Sequence, residues 1–128
     1  NMGAGGSVLR APGSPREEET MKRGSVVGVN LEDGRPPEFG KTRPGIVLSS
    51  QEANAVLPTI VVVPLSTRPP EIHPLRLALP SLAGLQKSYA VVPGLRQISK
   101  SRIIASMGEI PGDSLKALEE AVFAYLAD

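Results

Sequence analysis

Lys41-Thr42-Arg43-Pro44-Gly45-Ile46-Val47-Leu48-Ser49-Ser50 and, shortly after it, Thr59-Ile60-Val61-Val62-Val63-Pro64-Leu65-Ser66-Thr67 are the stretches that decide the fold. Both are crowded with β-branched residues, whose stiff side chains suit a pleated strand. Pro44 biases the residue before it toward an extended backbone, so Arg43 is held where a loop becomes a strand. A guanidinium therefore enters one apolar strand and two hydroxyls leave the next. A forked donor fixed in this way is suited to holding an anion.

Working outward, the chain from Gly24 onward breaks into short β-like runs separated by Gly, Pro and polar residues. The expected strands are Ser25 to Leu31, Gly45 to Ser50, Thr59 to Leu65, Leu75 to Leu79, Tyr89 to Val92 with Leu95 to Ile98, and Ile103 to Ile110. Short strands at this spacing point to a small, closed antiparallel barrel. The end differs in kind. Pro111-Gly112-Asp113 supplies a stop and an N-cap, and Leu115, Leu118, Ala121, Val122, Tyr125 and Leu126 then recur at helical spacing. One amphipathic helix is expected to pack on the barrel, with its Glu119-Glu120 edge facing water. There is no internal repeat.

Composition sets the outer limits. The 128 residues, 41% of them hydrophobic, suit one domain with its own core. The absence of cysteine excludes disulfides, thiolate metal sites and a cysteine nucleophile, and fits a reducing, cytoplasmic setting. A single histidine excludes a two-histidine acid/base mechanism and a multi-histidine metal site. Neither a metal nor a cofactor is expected. The longest apolar stretch, Ala55 to Leu65, is too short to span a bilayer and is interrupted by Pro58 and Pro64, so no membrane association is expected.

The formal charge of +1 is unevenly spread. Residues 1–20 carry two arginines against three glutamates, a net −1. Met21 to Gly112 holds eleven Lys and Arg against six Asp and Glu, a net +5, and Asp113 to Asp128 holds one lysine against four acids, a net −3. The positive charge belongs to the strand-rich part, which permits a polyanionic partner and equally fits a solvated mixed surface. Residues 1–20, rich in Gly and Pro, read as a tail without a signal-peptide pattern, and residues 21–128 as the domain. Asn1 ahead of Met2 fits an added residue, and Met21-Lys22-Arg23-Gly24 fits a natural start equally well.

In order along the chain come Lys22-Arg23-Gly24-Ser25-Val26-Val27, Glu38-Phe39-Gly40-Lys41-Thr42-Arg43-Pro44, Val63-Pro64-Leu65-Ser66, His73-Pro74-Leu75-Arg76, Leu95-Arg96 and Lys100-Ser101-Arg102. This ordered set resembles the MazF/PemK type of bacterial toxin, and the resemblance runs from Met21 to the terminal helix. It implies an SH3-like, MazF/CcdB-like barrel with a C-terminal helix, and a homodimer. It further implies a metal-independent endoribonuclease acting on single-stranded RNA and silenced by a cognate antitoxin of a type II toxin-antitoxin system.

Cleavage of RNA without metal uses the substrate's own 2′-hydroxyl as nucleophile, and stabilising the extra charge of the pentavalent state is the largest demand. Arg43 matches the family's catalytic arginine and takes that electrostatic role, since a guanidinium resists deprotonation. The alternative is an arginine paired with a carboxylate such as Glu38 at the barrel rim. Ser66 falls where the family usually has threonine, which keeps the hydroxyl but loses the methyl that restricts its rotation. Thr67 follows it, and on a strand points to the opposite face. Both hydroxyls also fit loop caps. Glu38 matches a loop acid that acts as base or orients Arg43, and orientation is the role expected. His73, in Pro69-Pro70-Glu71-Ile72-His73-Pro74, is an RNA contact or an ordinary loop residue. Lys41, Arg68, Arg76, Arg96, Lys100 and Arg102 are candidates for tracking the RNA backbone.

There are departures. Pro93-Gly94 stands where relatives commonly have aspartate and glutamine, Ser25 replaces a usual aspartate, and Gly28 a frequent aromatic. Pro36-Pro37 replaces the glycine-serine of relatives and is expected to stiffen the loop at Glu38. With two Tyr and two Phe in the chain, stacking platforms for bases are few. Three rival readings follow: a weakly active or inactive relative that binds only an antitoxin or regulatory protein, a gyrase-poison-like toxin, and an adaptor. The arginine-proline entry argues against the second, and the scarcity of aromatics against the third.

Overall fold

The computed structural model describes residues 21–30, 42–80 and 85–127. The strands are β1 (Ser25–Asn30), β2 (Thr42–Val47), β3 (Thr59–Ser66), β4 (Arg76–Ala78), β5 (Tyr89–Val91), β6 (Arg96–Ser99) and β7 (Ile103–Glu109). Helix α1 (Gln51–Val56) lies between β2 and β3, and α2 (Gly112–Leu126) closes the chain. Single 3₁₀ turns at Val92–Gly94 and Lys100–Arg102 flank β6.

All the pairings are antiparallel, in the order β4-β5-β3-β2-β1-β7, with β6 also on β3. Among the described residues no ladder joins β4 or β6 to β7, so the curled sheet is not closed by hydrogen bonds. Every residue of β1 is buried, because both of its faces meet apolar material. On one face, Val27, Val29, Val47, Ile60, Val62 and Ile98 fill the inside of the curl, with Met21 and Ile103 at its margin. On the other, Val26, Ile46, Val63 and Leu65 pack with Leu118, Ala121 and Val122 of α2. Each fully buried Val, Leu or Ile contributes about 1.5–3 kcal/mol relative to exposure.

Two expectations about helices change. Helix α1 was not foreseen: its six residues are too few to show a period, and Ala55 to Leu65 reads as one apolar run. Ser50 caps it, its Oγ accepting the Ala53 N–H at 3.1 Å. The helix is tied down by Asn54, which is 1% exposed. Its Nδ2 donates to the carbonyls of Met21 (2.8 Å) and Ser49 (3.0 Å), and its Oδ1 accepts from Ser49 Oγ at 2.6 Å. The second change concerns α2, which is capped by Pro111, so Asp113 lies inside the first turn, where its charge complements the helix dipole. Its stripe also stops short: Tyr125 and Leu126 are exposed, as is Phe123. Glu119 does not face open water as expected, because Arg23, whose Nε donates to the Leu48 carbonyl at 2.9 Å, holds it in an ion pair. No described helix is long and apolar enough to cross a membrane.

Candidate active site

Register decides which of the expected residues stand together. The β2–β3 ladder runs Val47↔Val62, Ile46↔Val63, Gly45↔Pro64. Extended two residues beyond the last paired position, the same register would set Arg43 opposite Ser66. The Leu48 N–H donates to the Val61 carbonyl at 2.9 Å, so the hydrogen-bonded pairs fall at 48/61 and 46/63. Arg43 and Ser66 then fall on a non-hydrogen-bonded position, where opposing side chains approach most closely. Alternation puts both on the face of the inner apolar cluster, since Arg43 opposes Val29 and Ser66 is four residues along from Val62. They continue that face past its apolar part to the rim. Arg43 is exposed, and among the described residues no ion pair or hydrogen bond engages it.

Ser66 is half-buried, and its Oγ accepts the Arg68 N–H at 3.0 Å. Among the described residues its own hydroxyl hydrogen has no acceptor, which leaves it available to a third party. Arg76 secures the same loop, its Nη1 donating to the Arg68 carbonyl at 3.2 Å. Glu71 Oε2 accepts the Ala78 N–H at 2.9 Å and ties the loop to β4. Arg76 opposes Val91 on β5 and shares the face of Ser66. A half-buried tyrosine not singled out by sequence, Tyr89, is the direct cross-strand partner of Ser66. Nothing in its sequence context gives its face, and only the β3–β5 register does.

The remaining expected residues are more scattered. Arg96 is exposed and opposes Val62, so it stands on the same face but about 13 Å along β3 from Ser66, at about 3.3 Å per residue. Thr67 and Arg68 are exposed beyond the end of β3, and His73 is exposed in the turn whose Ile72 N–H donates to the Arg76 carbonyl. Arg102 Nη1 donates to the Asn30 carbonyl at 3.1 Å, near Val29, which pairs with both Arg43 and Ile103. Lys100 lies at the other end of β3, its N–H on the Pro58 carbonyl. Glu38 and Lys41 lie outside the described residues, as do Pro36 and Pro37. Gly28 has a steric reason: a Cβ there would come within 3.0 Å of Thr42 Cγ2 and 3.3 Å of Ala105 Cβ, leaving no room for an aromatic ring.

An exposed guanidinium and a half-buried hydroxyl on one sheet face, with a second arginine behind the loop, are the groups from which a phosphate-holding rim can be built. Among the described residues no three His, Cys, Asp or Glu side chains gather as metal ligands.

The pattern of the PemK-like, MazF-like toxins of type II toxin-antitoxin systems matches residues 22–126. The chain is 29% identical over 113 residues to endoribonuclease MazF9 of Mycobacterium tuberculosis, covering 83% of this chain and 96% of that protein. Among solved structures, a mycobacterial endoribonuclease in complex with its cognate antitoxin superimposes with a TM-score of 0.69 at 20% identity, over 83% of this chain and 94% of that one. MazF from Deinococcus radiodurans superimposes with a TM-score of 0.68 at 24% identity, over 84% and 96%.

Proposed function

Because this chain belongs to the PemK-like, MazF-like toxins of type II toxin-antitoxin systems, we propose that it is an endoribonuclease that cleaves single-stranded RNA without a metal ion. The reading is supported by the exposed guanidinium of Arg43 at the end of β2, on the sheet face that Ser66 shares at the end of β3. The 2′-oxygen of the substrate bonds to phosphorus as the P–O5′ bond breaks, one proton leaving the 2′-oxygen and one reaching the 5′-oxygen. Arg43 stabilises the charge on the non-bridging oxygens, and Ser66 donates to one of them. Glu38 orients Arg43. Arg68, Arg76, Arg96, Lys41, Thr67 and His73 guide the flanking strand.

In its working form the toxin is a cytoplasmic homodimer, neutralised by an antitoxin segment that is acidic and extended enough to lie in the same basic rim. A sedimentation profile showing only monomer at micromolar concentration would remove the dimer.

The deciding experiment incubates a long unstructured RNA with the protein and with Arg43→Ala, in chelator, and maps the fragment ends. Fragments with 2′,3′-cyclic phosphate and 5′-hydroxyl ends are expected from the wild type and none from the variant, whose thermal midpoint stays nearly unchanged. A large fall in that midpoint would make Arg43 structural. Intact RNA that still binds would instead favour an inactive binding protein.

A further inference from the structure

The edge of β3 that faces away from β2 is interrupted. Residues 59–62 pair with β6, residues 65 and 66 pair with β5, and the Val92–Gly94 turn that links β5 to β6 crosses between them, opposite Val63 and Pro64. Hydrogen-bonded pairs with β2 fall at Val61 and Val63, so the nitrogen of Pro64 points into this gap and not toward β2. That is why a proline is tolerated in an inner strand, where a missing N–H would otherwise break a ladder.

The gap is closed by Gly94. A Cβ at this position would lie 2.6 Å from Pro64 Cγ and 3.1 Å from Pro64 Cδ. Carbon atoms pack at about 3.5–4.0 Å, so any side chain at 94 forces the turn and the strand apart by roughly 1 Å. Pro64 stands two residues before Ser66, and Gly94 two residues before Arg96. The pair opposite Pro64 on β2 is Gly45, itself two residues after Arg43. A displacement at the Pro64–Gly94 contact is therefore delivered to the strand ends that carry the guanidinium and the hydroxyl.

We propose that Gly94 is a positioning residue of the nuclease site, its bare backbone letting the Val92–Gly94 turn seat against the Pro64 ring and so fix the direction of Ser66. The proposal rests on the nuclease reading for its catalytic consequence, though not for its geometry. It also gives Gly94 a role other than a lost side-chain contact: its backbone fits against Pro64.

The test compares wild type, Gly94→Ala, Pro64→Ala and the double variant, with kinetics read on the folded fraction fixed by urea titration. Gly94→Ala is expected to lower kcat by about 10- to 100-fold with KM changed by less than about threefold, as for a misplacement near 1 Å. In the Pro64→Ala background, where the colliding ring atoms are gone, the same change costs less than about threefold. The Arg68 amide resonance, reporting its bond to Ser66 Oγ, moves in Gly94→Ala and does not move between Pro64→Ala and the double variant. Equal loss of kcat in both backgrounds, or an unmoved Arg68 amide in Gly94→Ala, overturns the proposal. If the wild type leaves RNA intact, the nuclease reading fails while the amide comparison still decides the positioning.

Discussion

The Ser66 hydroxyl has one donor hydrogen and two acceptor lone pairs, and one of those lone pairs is engaged inside the protein. Its oxygen holds the Arg68 N–H, and Arg76 holds the Arg68 carbonyl from the other side, so the loop leaving β3 is fixed by side chains that also face the rim. Replacing Ser66 by alanine leaves Arg68, which is exposed, to bond with water, at little cost in stability. On the proposed mechanism, the donor to the developing charge is lost. We expect Ser66→Ala to slow single-turnover cleavage by about 10²-fold with affinity for a 2′-O-methyl RNA nearly unchanged, and Ser66→Thr to retain activity. An equal drop in both measurements would move Ser66 from chemistry to binding. The extended backbone of Arg43 was readable from Pro44, because local sterics act on adjacent residues, whereas Ser66 was marked only by the resemblance. Tyr89 was not, because nothing adjacent to it encodes the strand it faces.

Among the elements, α1 shows what periodicity misses. Six residues make fewer than two turns, and an isolated helix of that length is unstable in water. It exists because Asn54 spans from the helix to the Met21 carbonyl, and because Ser49 accepts the Val61 N–H at 3.0 Å while donating to Asn54. Asn54→Ala strands two half-buried carbonyls and a hydroxyl donor, so a loss of about 1–3 kcal/mol is expected in urea unfolding. An unchanged midpoint would show that water replaces the amide. The Arg23–Glu119 pair, about a third exposed on each side, contributes at most about 1 kcal/mol after screening. It serves more to orient α2 beside Leu48 and Leu95, which line a shallow apolar groove with Val122 and Phe123.

At the scale of the whole molecule, Met21 to Gly112 carries a net +5, and three of its cations, Arg43, Arg76 and Arg96, share one sheet face. Affinity for single-stranded RNA is expected to fall with salt, and Arg96→Ala to reduce the logarithmic slope by about 0.7. A slope that Arg96→Ala leaves unaltered would take Arg96 off the path. The strand inventory was legible because β-branched runs and Gly/Pro breaks are local signals, and the order of motifs carried the family. The sequence by itself determined which segments extend, where the guanidinium enters and where the hydroxyls leave, since dihedral preference depends on a residue and its neighbours. Only the tertiary structure decided that Arg43 pairs with Val29 on the sheet face that also carries Ser66, that Tyr89 is the cross-strand partner of Ser66 and that Gly94 lies bare against Pro64. Register between strands is set by long-range burial and pairing, and a slip of one residue would send each of these side chains to the opposite face.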